Sequence, residues 1–144
     1  MRIDRYESFT ERETFNYGRS LARYAKPEKI FTLSGELGAG KTTFSKGFAL
    51  GVGVEEEITS PTFSILNIYE GGKLPLYHFD LYRIDQDGFI DMGLEDYFYD
   101  GKGVSLVEWY TNAEEVMPES RIDITISRDL TKGESYRIIE VVMR

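Results

Sequence analysis

The sequence predicts a three-layer α/β fold, a mixed, mostly parallel sheet of about six or seven strands flanked by helices. Three observations predict it. β-type runs alternate with segments of helical periodicity along most of the chain. A glycine-rich octapeptide sits at a strand-to-helix junction, where open α/β sheets collect their ligands. The 144 residues hold no repeat, low-complexity tract or long linker, which suits one domain able to bury one sheet under helices.

Residues 10–26 read as the first helix. Thr10 can cap it with Glu13 three residues on, Phe15, Leu21, Ala22 and Ala25 form an apolar stripe, and Pro27 ends it. Residues 29–34 are a short β-type run stopping at Gly35. A second helix starts at Thr42, with Phe44, Phe48 and Val52 at helical spacing and Gly51 and Gly53 as its stop. Residues 64–69 and 74–80 are the arms of a hairpin closed by Gly71 and Gly72. Pro75 suits an edge or strand start, and Leu76, His78 and Asp80 share one face of the return arm. Residues 85–98 are acidic and helical or irregular, with Met92, Leu94, Tyr97 and Phe98 facing inward, and Gly101 and Gly103 break them. Residues 104–107 are a buried-type strand ending at Glu108 and Trp109, and residues 122–127 and 136–142 complete the sheet.

The octapeptide, Gly35-Glu36-Leu37-Gly38-Ala39-Gly40-Lys41-Thr42, satisfies the phosphate-binding pattern G-x-x-x-x-G-K-[ST]. With glycine at about 7% of residues, chance produces it in roughly half a percent of chains this long. Glycines let the backbone curl so that successive N–H groups point at a phosphate, and the helix N-terminus adds partial positive charge. Lys41 then reaches the β/γ oxygens, and Thr42 offers a hydroxyl to Mg²⁺, a cation that prefers hard oxygen ligands. The fold is therefore expected to be P-loop NTPase-like. Asp80 and Glu108 end two strands at the same edge, and the two carboxylates, hydroxyl and ammonium together suit Mg²⁺-dependent phosphoryl chemistry.

Other residues are read more narrowly. His78, the only histidine, lies deeper on the strand than Asp80 and suits a hydrogen-bonded core position better than a base. Arg83 is a candidate partner for Asp80, Glu108 or a phosphate. Ser60 and Thr62 follow the phosphate-loop helix, where related folds keep a γ-phosphate switch, and Trp109 suits a partly exposed recognition aromatic.

Composition bounds the function. A formal charge of −8 argues against gripping nucleic acid directly. The absence of cysteine excludes disulfides, thiolate catalysis and cysteine-ligated zinc. No apolar run approaches the roughly 18 residues of a membrane span, so a soluble, cytoplasmic protein with no membrane partner is expected.

Residues 35–43, Ser60-Pro61-Thr62-Phe63, Tyr77-His78-Phe79-Asp80-Leu81-Tyr82-Arg83, Met92-Gly93-Leu94 with Asp96-Tyr97-Phe98, and Leu106-Val107-Glu108-Trp109 together resemble the TsaE (YjeE) family. The resemblance runs from about Thr14 to Glu108 and thins beyond Trp109. It implies a small bacterial ATPase needed for N6-threonylcarbamoyladenosine (t6A) at position 37 of tRNAs that read ANN codons. In that family TsaD and TsaB perform carbamoyl transfer from threonylcarbamoyl-AMP, a product of TsaC. ATP binding drives assembly of the complex and hydrolysis resets it, so tRNA is reached only through the partners.

Carried onto this chain, the resemblance implies that Gly38, Ala39, Gly40 and Lys41 hold phosphates and that Thr43 supports the nucleotide. It implies Thr42 and Glu108 as Mg²⁺ ligands, with Asp80 serving the metal or a water, so that Lys41, Asp80 and Glu108 form the catalytic set. Ser60, Thr62, Arg83 and Trp109 belong to the switch or partner region, and the adenine pocket falls at Thr10 and Lys132.

Three rivals remain. A small-molecule kinase needs an acceptor pocket and usually a lid, neither of which is in view. A regulatory GTPase finds only a faint specificity loop in residues 131–134. A non-enzymatic nucleotide-dependent docking module would have no use for Thr42, Asp80 and Glu108 together.

Overall fold

The computed structural model describes residues 1–36, 38–59 and 64–144. Its strands are β1 (Arg2–Ser8), β2 (Ile30–Ser34), β3 (Leu66–Tyr69), β4 (Leu76–Asp80), β5 (Val104–Glu108), β6 (Ile122–Arg128) and β7 (Arg137–Met143). Its α-helices are α1 (Glu11–Leu21), α2 (Lys41–Val52) and α3 (Gln86–Asp91), with short 3-10 turns between elements.

Among the described residues the strands make one sheet in the order β1-β7-β6-β2-β5-β4-β3. The four strands β6, β2, β5 and β4 are mutually parallel, whereas β1-β7-β6 and β4-β3 pair antiparallel. The expectation of a mostly parallel sheet is corrected to a parallel centre with antiparallel margins. Chain length between strands decides it. A parallel pair needs a crossover of about a dozen residues or more, and the connections β3–β4 and β6–β7 are too short.

β1 is an element the sequence reading missed. It carries Arg2, Asp4, Arg5 and Glu7 and is mostly exposed, so it lacks the clean apolar alternation that marks a strand, and its ladder comes entirely from β7 at the other end of the chain.

α1 starts as expected, the Thr10 hydroxyl accepting from the Glu13 N–H at 3.1 Å. It gives way at Ala22 to a 3-10 turn ending at Tyr24, short of Pro27. α1 and α2 pack at backbone contact: a Cβ on Gly18 would lie 2.4 Å from the Phe44 carbonyl oxygen, and one on Gly47 2.0 Å from that of Phe15. The acidic segment splits into α3 and a 3-10 turn, Leu94–Tyr99, because Gly93 takes a left-handed φ of +69° between them. That break leaves Met92 57% exposed, against the expectation that it faces inward, while Leu94 and Phe98 are buried. Pro75 stands just ahead of β4, and β4 is an inner strand.

The core has two layers on opposite sheet faces. Phe31, Leu33 and Leu106 pack with Phe44 and Phe48 of α2 on one, and Ile30, Phe79 and Val107 pack with Phe89 and Phe98 on the other. This is the three-layer α/β, P-loop-like arrangement the sequence predicts.

Candidate functional site

Parallel pairing aims the C-terminal ends of β2, β4 and β5 at one sheet edge, and the phosphate loop leaves β2 there. In the ladders Asp80 stands opposite Glu108, and Glu108 opposite Leu33 on its other side. β6 points the same way, so the start of β7 returns from that edge too, with Arg137 opposite Arg128.

The loop's shape depends on glycine. Gly38 and Gly40 have φ of +80° and +105°, left-handed values that side chains resist, and Gly40 leads directly into α2 at Lys41. The N-terminus of α2 therefore opens onto the edge with no side-chain cap of its own. A cleft of about 960 Å³ lies over it. Gly38, Gly40, Lys41, Thr42 and Thr43 form its floor, Asp80, Tyr82, Arg83, Glu108 and Trp109 one flank, and Glu11, Thr14, Ser135 and Arg137 the other.

Glu108 is buried at 7% exposure, yet each carboxylate oxygen has a basic neighbour. Lys41 Nζ is 3.9 Å from Oε1, and His78 Nε2 is 2.8 Å from Oε2. A carboxylate only accepts, so His78 Nε2 carries a proton and donates. His78 is 1% exposed and its Nδ1 has no partner among the described residues, which places it as the hydrogen-bonded core histidine the sequence suggests.

Asp80 Oδ1 accepts the Tyr82 N–H at 3.0 Å. Its carboxyl is nonetheless raised above the ordinary value, first by burial and further by the Glu108 charge, against the pull of that N–H, His78 and Lys41. Two carboxylates side by side, one of them reluctant to ionise, suit a cation between or beside them. The exposed Thr42 hydroxyl supplies a third hard oxygen at the same place. Among the described residues no group of three or more His, Cys, Asp or Glu is arranged to hold a metal ion by itself. Mg²⁺ needs no such group, because it is usually held by one or two carboxylates together with phosphate oxygens and water.

Trp109 follows Glu108 with a φ of +60°, a strained value for a tryptophan, and this sharp turn lets both consecutive side chains line the cleft. The ring is 41% exposed, with Tyr82 at 4.9 Å between centroids and Lys41 Nζ at 5.2 Å.

The remaining expected site residues scatter. Thr43 lines the cleft and donates to Glu11 Oε1 at 3.2 Å, and Arg83 lines it as well. Ala39 is buried behind the loop. Thr10 caps α1, and Lys132 lies 3.8 Å from Glu7 and over the Tyr136 ring; neither lines the cleft. Their neighbours Glu11, Thr14, Ser135 and Arg137 do. Ser60 and Thr62 lie outside the described residues.

Sequence reasoning missed Arg137. Its guanidinium donates to the Ala39 carbonyl at 2.7 Å and the Gly38 carbonyl at 3.3 Å. No local pattern links a residue so far along the chain to the loop; only the antiparallel return of β7 brings it there.

Among the described residues no helix is long and apolar enough to cross a membrane.

Residues 8–137 match the family described as "Threonylcarbamoyl adenosine biosynthesis protein TsaE". The chain is 46% identical over 124 residues to the tRNA threonylcarbamoyladenosine biosynthesis protein TsaE of Bacillus subtilis (strain 168), spanning 86% of this chain and 77% of that protein. It is 40% identical over 120 residues to the protein of the same name in Treponema pallidum (strain Nichols), spanning 83% and 87%. The crystal structure of YdiB from Bacillus subtilis superposes with a TM-score of 0.83 at 39% identity, over 99% of this chain and 86% of that one. The likeness thus extends past Trp109 into the segment around Arg137, and the chain belongs to the TsaE family.

Proposed function

We propose that the chain is a Mg²⁺-dependent ATPase serving t6A formation at position 37 of ANN-decoding tRNAs, in the cytoplasm, acting with TsaD and TsaB and reaching tRNA only through them. The observation that carries the ATPase reading is the meeting of Lys41, Thr42, Asp80 and Glu108 with the glycine loop in one cleft. The biosynthetic role rests on family membership and the names of the relatives. The net charge of −8 agrees with contact to tRNA through a partner.

The chain's own groups divide the work. Loop N–H groups and the α2 N-terminus bind the phosphates. Lys41 neutralises charge on the β/γ oxygens while leaning on Trp109 and Glu108. Thr42, Asp80 and Glu108 would hold Mg²⁺, which when bound spreads the charge that develops on the transferring phosphoryl group. Asp80 or Glu108 orients the attacking water.

Turnover by the isolated chain should be slow and a TsaB–TsaD pair should accelerate it, as an arginine finger supplied in trans can be worth about 10³–10⁵ in rate. The test measures nucleotide binding and ATP hydrolysis with and without that pair. Lys41→Ala should abolish productive binding, whereas Asp80→Ala and Glu108→Ala should spare binding more than hydrolysis. Rapid hydrolysis indifferent to partners, or equal loss of binding in all three variants, would refute the assignment. Competition by GTP as strong as by ATP would overturn the choice of nucleotide.

A further inference from the structure

We propose that Arg137 is the positioning residue of the phosphate loop, holding it in its anion-receiving shape and tying it to the connection between β6 and β7. The proposal deepens the nucleotide-binding reading above and rests on it.

A loop whose N–H groups turn inward to an anion must turn carbonyls outward, and each outward carbonyl needs a donor. Arg137 supplies two: Nε to Ala39 at 2.7 Å and Nη2 to Gly38 at 3.3 Å. The other arm of the same guanidinium donates from Nη1 to the carbonyls of Glu134 at 2.6 Å and Tyr136 at 2.9 Å. One planar group thus bridges four backbone carbonyls, two in the loop and two in the β6–β7 connection. Gly38 and Gly40 have no Cβ to restrict them, and among the described residues the loop's other anchors are the buried Ala39 methyl and the turn bond from Ala39 N–H to the Glu36 carbonyl at 3.0 Å. Arg137 holds this place although burial and the Arg128 charge both disfavour its protonated form. Four directed donors, rather than charge alone, account for an arginine there. A lysine would keep the charge but present its donors from one point, unable to span both pairs of carbonyls.

The test is therefore Arg137→Lys, which separates the fork from the charge. Affinity for a fluorescent ADP analogue and KM for ATP should each worsen by about tenfold, the equivalent of one or two lost net hydrogen bonds. kcat at saturating ATP should stay within about twofold, because bound phosphates rebuild the loop. Hydrogen exchange should show amides 38–42 exchanging faster without nucleotide and returning to wild-type rates with it, with β2 and β5 unchanged. Wild-type affinity in Arg137→Lys, or a fall in kcat with KM unchanged, would overturn the proposal. A second measurement needs no substitution: the Arg137 Nε–H of the nucleotide-free wild-type protein should exchange slowly by NMR, and exchange as fast as an exposed arginine would overturn the proposal even if the variant failed to fold. If the wild-type protein bound no nucleotide, the functional reading would fall, and the Nε–H rate would still decide whether the clamp exists.

Discussion

His78 donates to Glu108 across 2.8 Å in the interior beneath the phosphate loop, so the one histidine of the chain holds the carboxylate that ends β5. The bond joins adjacent strands and leaves Glu108 Oε1 to Lys41. His78→Ala would leave a buried carboxylate oxygen without its donor, at a cost of about 1–3 kcal/mol. Thermal unfolding should fall by roughly 3–10 °C, with hydrolysis reduced as well. An unchanged melting temperature would show that Glu108 does not depend on the imidazole.

Asp80→Asn should stabilise the protein when nucleotide and divalent metal are absent. The Asp80 carboxyl is raised by burial and then by Glu108, so the fold favours its protonated form. Stability then declines as pH climbs from the ordinary carboxylate range through the raised value, and the full penalty is present at neutral pH. Melting in EDTA at pH 7 should place the variant above wild type, with the gap closing below about pH 4. A variant that melts lower at pH 7 would contradict the electrostatic account. Hydrolysis should nevertheless be impaired, since the amide is a poorer metal ligand.

Gly47→Ala should be severely destabilising. The new methyl would sit 2.0 Å from the Phe15 carbonyl oxygen and 2.8 Å from its carbon, and backbone cannot swing aside as a side-chain tip can. The two helices must part, at a cost of about 2–3 kcal/mol or more. Because α2 begins at Lys41, nucleotide affinity should fall with stability. Gly71→Ala, where the nearest atom is 4.0 Å away, is the control and should change stability by no more than about 0.5 kcal/mol. Denaturant unfolding distinguishes the two.

What the sequence reveals of this protein is what short-range chemistry encodes. The phosphate loop, the Thr10 cap, the two strand-end acids and the buried histidine each follow from neighbours a few residues away. β1 does not, since its charged exposed face becomes a strand only through β7. The direction of β7 relative to β6 depends on the length of a connection whose end residues look like any loop, and Arg137 reaches the site only through that reversal. Met92 turned outward for a smaller reason of the same kind, a left-handed Gly93 that interrupts the expected helical phase. Long-range pairing and single backbone reversals escaped; periodicity and motif did not.

The antiparallel ladder of β1 and β7 sets Arg2 beside Met143 and Ser8 beside Arg137. Arg2 and Met143 accordingly lie next to one another at the end of the sheet remote from the cleft. A fluorophore attached at either of these two residues should leave the mouth of the cleft unobstructed. A short cross-link between them would pin the outer strand to its neighbour without disturbing the site.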